Sequence, residues 1–276
     1  MPDIADTIIQ VSDHFFGEAL REVKSRLASI TLHGSHRRFL VSRMGSTGST
    51  WLAKLFNSHP DVFCYHEGVI AKIFPASSYG MEERLSLIKL LAEDSMHGAY
   101  AAAGDVGSAG LGYAVATPKG TFSTGLLLRH PARVLNTRLK VFPADRSFTQ
   151  INEKRLKCVE CIWNIDTSGL TEIDRIFLQD ACVFAQQIQW LNAVNVVAQI
   201  ERMNDVEYCR RVARVLTGQD YEDSVLERLM SNRVNSRTHS DGSVRETLDG
   251  FTPSQRAWYE LMLGDLLPRF GYSLHE

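Results

Sequence analysis

The 276-residue sequence lacks several features that would place it in a class at once. Lys and Arg (30) nearly balance Asp and Glu (32), so the net charge of −2 gives no overall attraction to nucleic acid or to an anionic membrane. No run approaches the roughly 18 consecutive apolar residues of a membrane span. The N-terminus lacks the basic and then apolar pattern of a signal peptide. We therefore expect a cytoplasmic protein with no nucleic-acid partner and no membrane span.

Cysteine is scarce as well. An odd set of five in a chain of this length is typical of reduced thiols rather than of a disulfide framework. Cys158 and Cys161 form a single C-x-x-C pair, with no second pair and no histidines at ligand spacing. This pattern favours structural thiols over a zinc site, and we expect no metal.

The apolar pattern alternates between short strand-like runs and amphipathic helices. Strands are predicted at residues 39–43, 62–65, 114–116, 122–128 and 195–200. Helices are predicted at residues 6–31, 49–57, 81–103, 132–140, 172–193, 204–216, 221–230 and 253–270. The glycine-rich residues 104–112 are predicted to be either a plain connector or a mobile loop over the site. This alternation predicts a three-layer α/β fold, with a central parallel sheet flanked by helices. We expect a helical extension (residues 1–36) packed on one domain (residues 37–276).

Residues 44–52 (MGSTGSTWL) join the first predicted strand to a helix. The backbone N–H groups at a helix N-terminus are unsatisfied and carry partial positive charge, so they can hold a phosphate or a sulfate. Two glycines let the loop curl around an anion, and its hydroxyls add donors. The alternative is an ordinary strand–helix turn capped by Ser or Thr.

Two further polar residues follow predicted strands. Glu67 comes after the strand at 62–65, and Arg129 comes after the strand at 122–128. Because ligands bind beyond the carboxyl ends of parallel strands, the loop, Glu67 and Arg129 are expected at one edge of the sheet. The sequence therefore indicates a local anion-binding active site.

Three segments, in order and at similar spacing, resemble the signature segments of PAPS-dependent sulfotransferases, which have a P-loop-NTPase-like fold. Residues 44–52, followed by His59 and Pro60, resemble the 5′-phosphosulfate loop. Residues 128–137 (LRHPARVLNT) resemble the strand–Arg–x–Pro–helix element that binds the 3′-phosphate. Residues 197–218 resemble a late strand and helix of the family.

The resemblance implies transfer of a sulfuryl group from PAPS to a hydroxyl or amine of a small-molecule, lipid or carbohydrate acceptor, with release of PAP and no metal. It implies a 5′-phosphosulfate cradle made of Gly45, Ser46, Thr47, Gly48, Ser49, Thr50 and Trp51. Arg129 and Thr137 would bind the 3′-phosphate, with Asn136 as the alternative to Thr137 and with Arg237 as a further basic contact.

Sulfuryl transfer also needs a base for the acceptor and a cation at the leaving phosphate. Glu67 lies where the family often carries a carboxylate base, and His66 is the second candidate because imidazole titrates near neutrality. The family normally has Lys or Arg two residues before the loop glycine, where this chain has Ser46 if that glycine is Gly48. Arg43 is then the first substitute and Lys119 the second.

Two other functions stay open. A P-loop nucleotide kinase is disfavoured because the loop does not end in G-K-[ST] and no acidic strand end is apparent for Mg²⁺. A non-catalytic homologue that binds a nucleotide or sulfate is suggested by Ser46 in place of the cation. The acceptor would be bound by variable loops, which the sequence does not assign to a substrate.

Overall fold

The structure, a computed structural model, describes residues 3–66, 80–93, 97–107, 111–141, 151–231 and 243–274. In chain order its helices and strands are α1 (Ile4–Ala28), β1 (Arg37–Arg43), α2 (Ser49–Phe56), β2 (Val62–His66), α3 (Met81–Ala92), β3 (Ala102–Val106), α4 (Leu111–Ala116), β4 (Ser123–Leu128), α5 (Pro131–Val141), α6 (Glu153–Trp163), α7 (Glu172–Gln186), β5 (Val196–Gln199), α8 (Val206–Thr217), α9 (Asp223–Ser231), α10 (Val244–Asp249) and α11 (Pro253–Leu263). Short 3-10 segments span Gln187–Trp190, Ile200–Arg202 and Leu267–Phe270.

The five strands found among the described residues form one sheet in the order β2-β3-β1-β4-β5. Every neighbouring pair is parallel, and β1 is the central strand. Parallel strands need crossover connections, which place helices against the sheet and bury both of its faces. The predicted α/β class, with a central parallel sheet flanked by helices, is confirmed.

Each face of the sheet has its own hydrophobic core, because side chains alternate along a strand. On one face, Phe39 and Val41 of β1 pack with α2, α8 and α9. On the other face, Leu40 packs with the second half of α1, with α3 and with α4. The helices on the two faces make this arrangement compatible with three layers.

The chain divides into two compact units. The sheet unit comprises Ala19–Leu128 and Asn192–Ser236, and it contains all five strands. The helical unit comprises Met1–Glu18, Arg129–Leu191 and Arg237–Glu276. Our division into an extension of 36 residues and one domain stays a prediction.

The core of the helical unit is built around α7, which packs against α5, α6 and α11. An ion pair between Arg138 and Asp180 lies inside it, with Asp180 only 3% exposed. Burial raises the pKa of the Asp180 carboxyl, and Arg138 opposes that shift.

Several sequence predictions of secondary structure are wrong. Residues 114–116 are not a strand but the end of helix α4, and the predicted connector at 104–112 contains the end of strand β3. The helix predicted at 81–103 ends at Ala92, and the helices predicted at 172–193 and 253–270 end at Gln186 and Leu263. An additional helix, α6, occupies a stretch with no clear sequence pattern.

The helix boundaries that carry capping residues are predicted well. Gly218 ends α8 with a left-handed φ of 73°, as expected for a C-cap glycine. Pro253 begins α11 behind a capping box formed by Thr252 and Gln255. Among the helices that the structure describes, none is long and apolar enough to cross a membrane.

Candidate functional site

The loop between β1 and α2 lies at the carboxyl edge of the central strand. Ser46 and Gly48 both have positive φ, 65° and 86°. A positive φ is uncommon for serine and costs on the order of 1–3 kcal/mol, and such residues cluster at functional sites. Left-handed residues next to right-handed ones turn successive N–H groups toward a common point and form a concave anion-binding nest. The two left-handed residues therefore make this loop a candidate anion cradle.

Gly48 fits this loop for two reasons. Its φ is strained for any residue with a Cβ, and a Cβ would lie 2.8 Å from Cγ1 of Ile200 and 2.9 Å from Cδ1. The Gly48 carbonyl accepts the first helical bonds, from the N–H groups of Trp51 and Leu52. Gly48 itself has no side chain, so the N-cap residue makes no side-chain hydrogen bond to the first N–H groups of α2.

The hydroxyls of the loop do not all serve the same role. Thr47 is 2% exposed, and its Oγ1 donates to the Met44 carbonyl at 2.9 Å, which closes the loop on itself. The Oγ of Ser49 lies 3.0 Å from Nε2 of His66. Ser46 and Thr50 are half-buried. The proton of Thr47 is thus used inside the loop, and Ser49 contacts the candidate base.

His66 is the last residue of β2 and lies level with Val106 of β3. Asn57, just after α2, holds this strand: its Nδ2 donates to the Cys64 carbonyl and its Oδ1 accepts from the Cys64 N–H, both at 2.8 Å. These bonds tie the chain after α2 to β2 and help keep His66 beside Ser49. Glu67, the first candidate base, lies outside the described residues.

The first candidate cation, Arg43, lies beside the cradle. It ends β1, is half-buried, and donates from Nη1 to the Met44 carbonyl at 3.4 Å. Its side chain passes over Gly107, where a Cβ would be 2.4 Å from the Arg43 Nε. Gly107 follows β3 and has a φ of 93°. Arg43 can therefore lie across the end of β3 because Gly107 has no side chain.

The second candidate cation, Lys119, lies at the opposite edge of the sheet. It precedes β4, whose first residue, Ser123, pairs with Phe39, whereas Leu127 pairs with Arg43. At about 3.3 Å per residue, Lys119 is more than a strand length from the loop. It lines a groove of about 870 Å³ at the amino edge, together with Arg37. The prediction that Lys119 could serve the leaving phosphate is wrong.

Asp105 is a carboxylate that the sequence analysis missed. It lies on β3 opposite Leu40 and Tyr65, and it is fully buried. Strand alternation places it on the face that carries Ala103, whereas α2 packs on the face that carries Val106. Asp105 is therefore directed away from α2 and its Ser49 hydroxyl.

The remaining predicted residues are placed as follows. Trp51 is half-buried and donates from Nε1 to the Leu229 carbonyl of α9 at 3.3 Å. Arg129 and Thr137 belong to the helical unit, where the Thr137 hydroxyl donates to the Arg133 carbonyl at 2.8 Å. Arg237 lies outside the described residues. The structure thus brings together the loop, Arg43 and His66, while the 3′-phosphate residues stay predictions.

Thiols, imidazoles and carboxylates are the side chains that could ligate a metal ion. In the part of the chain that the structure describes, no group of three or more His, Cys, Asp or Glu side chains could hold a metal ion. Cys158 is buried and Cys161 is exposed. Burial, and to a lesser degree Asp105, raises the pKa of the Cys64 thiol well above its ordinary value. Cys64 therefore remains a neutral thiol near neutral pH.

Comparisons of the chain with protein-family models, with curated proteins and with solved structures gave no match.

Proposed function

We propose that the chain is a PAPS-dependent sulfotransferase with a P-loop-NTPase-like fold, which sulfates a hydroxyl or amine of a small-molecule, lipid or carbohydrate acceptor. The observation that carries the proposal is the β1–loop–α2 segment. Two left-handed residues shape its backbone, Arg43 lies at one side of it, and His66 contacts its first helical hydroxyl. This is the segment whose sequence resembles the family's 5′-phosphosulfate loop.

The sheet topology supports this placement. The connection after β1 leads to β2, at one end of the strand order. The connection after β3 leads in the opposite direction, past β1 to β4. Connections diverge in this way at the topological switch point of an open α/β sheet, where ligands bind beyond the carboxyl ends of the strands. The loop after β1 lies at that point.

The chain's own groups meet the requirements of the reaction. The donor supplies a sulfuryl group on a phosphate whose bridging oxygen gains charge as the bond breaks. The N–H groups of residues 45–50 would hold the phosphate, and Arg43 would stand in for the cation that Ser46 does not provide. Glu67 and His66 are the two candidates for the base that takes the acceptor's proton. Arg129, Thr137 and Arg237 are assigned to the 3′-phosphate by resemblance alone.

Two observations bear on the alternatives. Asp105 is an acidic residue near a strand end, but it faces away from α2, which disfavours a kinase that pairs it with a loop hydroxyl on Mg²⁺. Ser46 in the usual position of the cation favours a homologue that binds the nucleotide without catalysis. The two alternatives differ in whether Arg43 takes the place of that cation at the leaving phosphate.

Titration calorimetry tests the proposal directly, with PAP in one experiment and ATP with Mg²⁺ in another. We expect PAP to bind and ATP with Mg²⁺ to bind far more weakly. Tight binding of ATP alone would contradict the proposal and favour a kinase.

Turnover of radiolabelled PAPS with a panel of acceptors tests the role of Arg43. Arg43→Met should lower kcat by about 10²–10³-fold, as expected for loss of one electrostatic donor at a leaving group. Lys119→Met removes the same charge at the other edge of the sheet and should leave kcat unchanged. If PAP binds, no acceptor is sulfated and Arg43→Met binds PAP normally, the non-catalytic alternative is favoured.

A further inference from the structure

The groove at the amino edge of the sheet takes no part in the proposed function. Its volume of about 870 Å³ is within the usual range for pockets that bind small molecules, and all the residues that line it belong to the sheet unit. Arg37, the first residue of β1, and Lys119, in the turn before β4, are on its wall. We call it the amino-edge groove. Because β1 has seven residues at about 3.3 Å each, roughly 20 Å separate the groove from the loop after β1.

The amino-edge groove carries positive charge without an opposing carboxylate on its wall. Arg37, Arg38 and Lys119 line it, and none of the described residues that line it is Asp or Glu. Asp220, which follows the end of α8, is paired with Arg214 at 2.6 Å. Clefts lined by charge of one sign focus the electrostatic field and raise the local concentration of counter-ions. The groove therefore favours an anionic ligand.

Lys119 is held at the tip of a tight turn. The N–H of Thr121 donates to the Pro118 carbonyl at 3.2 Å, and the Thr121 hydroxyl donates to the same oxygen at 2.6 Å. Gly120 supplies a φ of 83°, and type II turns require a positive φ at this third residue. The Lys119 side chain is exposed and makes no ion pair within the described chain. Its ammonium group is therefore available to a ligand in the groove.

Three further side chains on the wall keep donors that the described part of the fold does not use. Arg37 donates from Nε to the Ser123 Oγ at 3.0 Å and from Nη2 to the Val215 carbonyl at 2.6 Å, but Nη1 has no acceptor there. Ser123 accepts from Arg37, so its own proton stays available. The Asn195 Oδ1 accepts from the Thr124 N–H at 2.7 Å, which fixes the orientation of the amide and leaves Nδ2 to donate. These groups offer donors, and the oxygens of an anion only accept.

We propose that the amino-edge groove is a second ligand site, which binds a small molecule carrying two or more anionic groups, with Lys119 and Arg37 as its cations. More than one anionic group is expected because the donors come from three separate segments, at the start of β1, before β4 and before β5. The inference does not depend on the proposed function, because the groove and the candidate cradle lie at opposite edges of the sheet. It gives a role to Lys119, which does not reach the leaving phosphate.

NMR of the chain labelled with ¹⁵N measures binding at the two edges separately. The backbone amides of Gly120 and Asn195 report on the groove, and the amide of Gly48 reports on the cradle. Inorganic pyrophosphate and citrate are titrated in separate samples at low ionic strength, because salt screens exposed charges. We expect saturable shifts at Gly120 and Asn195, and the tighter of the two anions identifies phosphate or carboxylate as the preferred group. No saturable shift at Gly120 with either anion would overturn the site.

The variants separate a defined site from attraction to net charge. Lys119→Met should weaken binding at the groove by about tenfold, as expected for loss of one hydrogen bond to a charged group. Lys119→Arg keeps the charge and should retain most of the affinity. Lys89→Met removes an exposed lysine of α3, in the same unit but off the wall of the groove, and should leave the affinity unchanged. Equal affinities in Lys119→Met and Lys89→Met would overturn the role of Lys119.

The two reporting edges also distinguish this inference from the proposed function. Pyrophosphate shifts at Gly48 with none at Gly120 would overturn the groove as a ligand site and leave the sulfotransferase proposal intact. Saturable shifts at Gly120 in a chain that does not bind PAP would support the groove and overturn the nucleotide donor.

Discussion

At the scale of single residues, Gly48 is held by two separate constraints, its φ of 86° and its contact with Ile200. The sequence suggested the first, because glycines in a loop before a helix often adopt positive φ. The second could not be predicted, since Ile200 is 152 positions further along the chain and meets Gly48 only in the fold. Gly107 was missed for a similar reason, because its role depends on the path of the Arg43 side chain.

We predict that Gly48→Ala destabilises the chain more than Gly120→Ala does. Both glycines have a similar φ, 86° and 83°, but a Cβ at Gly120 meets nothing within 4 Å. The left-handed backbone alone costs about 1–2 kcal/mol. Gly48→Ala should cost more because Ile200 must move, and adding Ile200→Ala should recover the excess. Urea unfolding measures all three, and equal losses for both glycines would show that the Ile200 contact is unimportant.

Arg43 and Gly107 form a second pair that can be tested at this scale. Gly107→Ala leaves the charge of Arg43 in place but puts a methyl group 2.4 Å from its Nε. We expect the variant to weaken PAP binding, because Arg43 has to leave its position beside the loop. Calorimetry should show a loss similar to that of Arg43→Met. An unchanged affinity would mean that Arg43 does not act from the position seen here.

At the scale of elements, strand β3 shows most clearly where sequence patterns fail. Its sequence, AAGDV, has a single β-branched residue and resembles a loop. It is a strand because β1 presents Phe39 opposite Gly104, where a Cβ would lie 2.4 Å from the Phe39 ring. At this position β3 needs a residue without a Cβ, because the Phe39 ring of β1 occupies the space. Runs with several β-branched or aromatic residues, such as β2, were predicted from local sequence alone.

The junction of α2 with β2 yields a prediction of its own. Asn57→Ala removes two hydrogen bonds of 2.8 Å that tie the chain after α2 to Cys64. We expect a loss of about 1–3 kcal/mol in the free energy of unfolding, since partners at Cys64 are left unsatisfied. The variant should also broaden or shift the NMR signal of the His66 ring, because β2 is then no longer hydrogen-bonded to the chain that follows α2. Ser58→Ala, next in sequence, is the control, and its His66 signal should stay as in the wild type.

At the scale of the whole molecule, the α/β class and the parallel direction of the strands could be predicted from the alternation of helices and strands. The division into two units could not. The strand order also came only from the structure, because it depends on which distant strands pair. The face of the sheet that is turned away from α2 has a buried polar cluster of its own. There His97 is 1% exposed and lies 3.2 Å from the Tyr65 hydroxyl.

This cluster predicts loss of stability in mild acid. Burial is the main cause that lowers the pKa of His97 below its ordinary value of 6.5, and His36 and Arg38 act in the same direction. The unfolded chain therefore binds a proton at His97 before the folded chain does, so stability is full above about pH 6.5 and falls as the pH drops below it. Urea unfolding at pH 7.5 and 5.5 should show a smaller difference for His97→Gln than for the wild type. The exposed-site variant His14→Gln should match the wild type, and an unchanged difference in His97→Gln would exclude His97 as the cause.

The central claim is that residues 45–50 hold the 5′-phosphate of a PAPS-type nucleotide. A crystal structure of the chain with PAP tests it most directly. We predict the 5′-phosphate within hydrogen-bond distance of the loop N–H groups and of Ser49, with the Arg43 guanidinium facing it. PAP bound elsewhere with the loop empty, or a 5′-phosphate approached by neither Arg43 nor His66, would contradict the account.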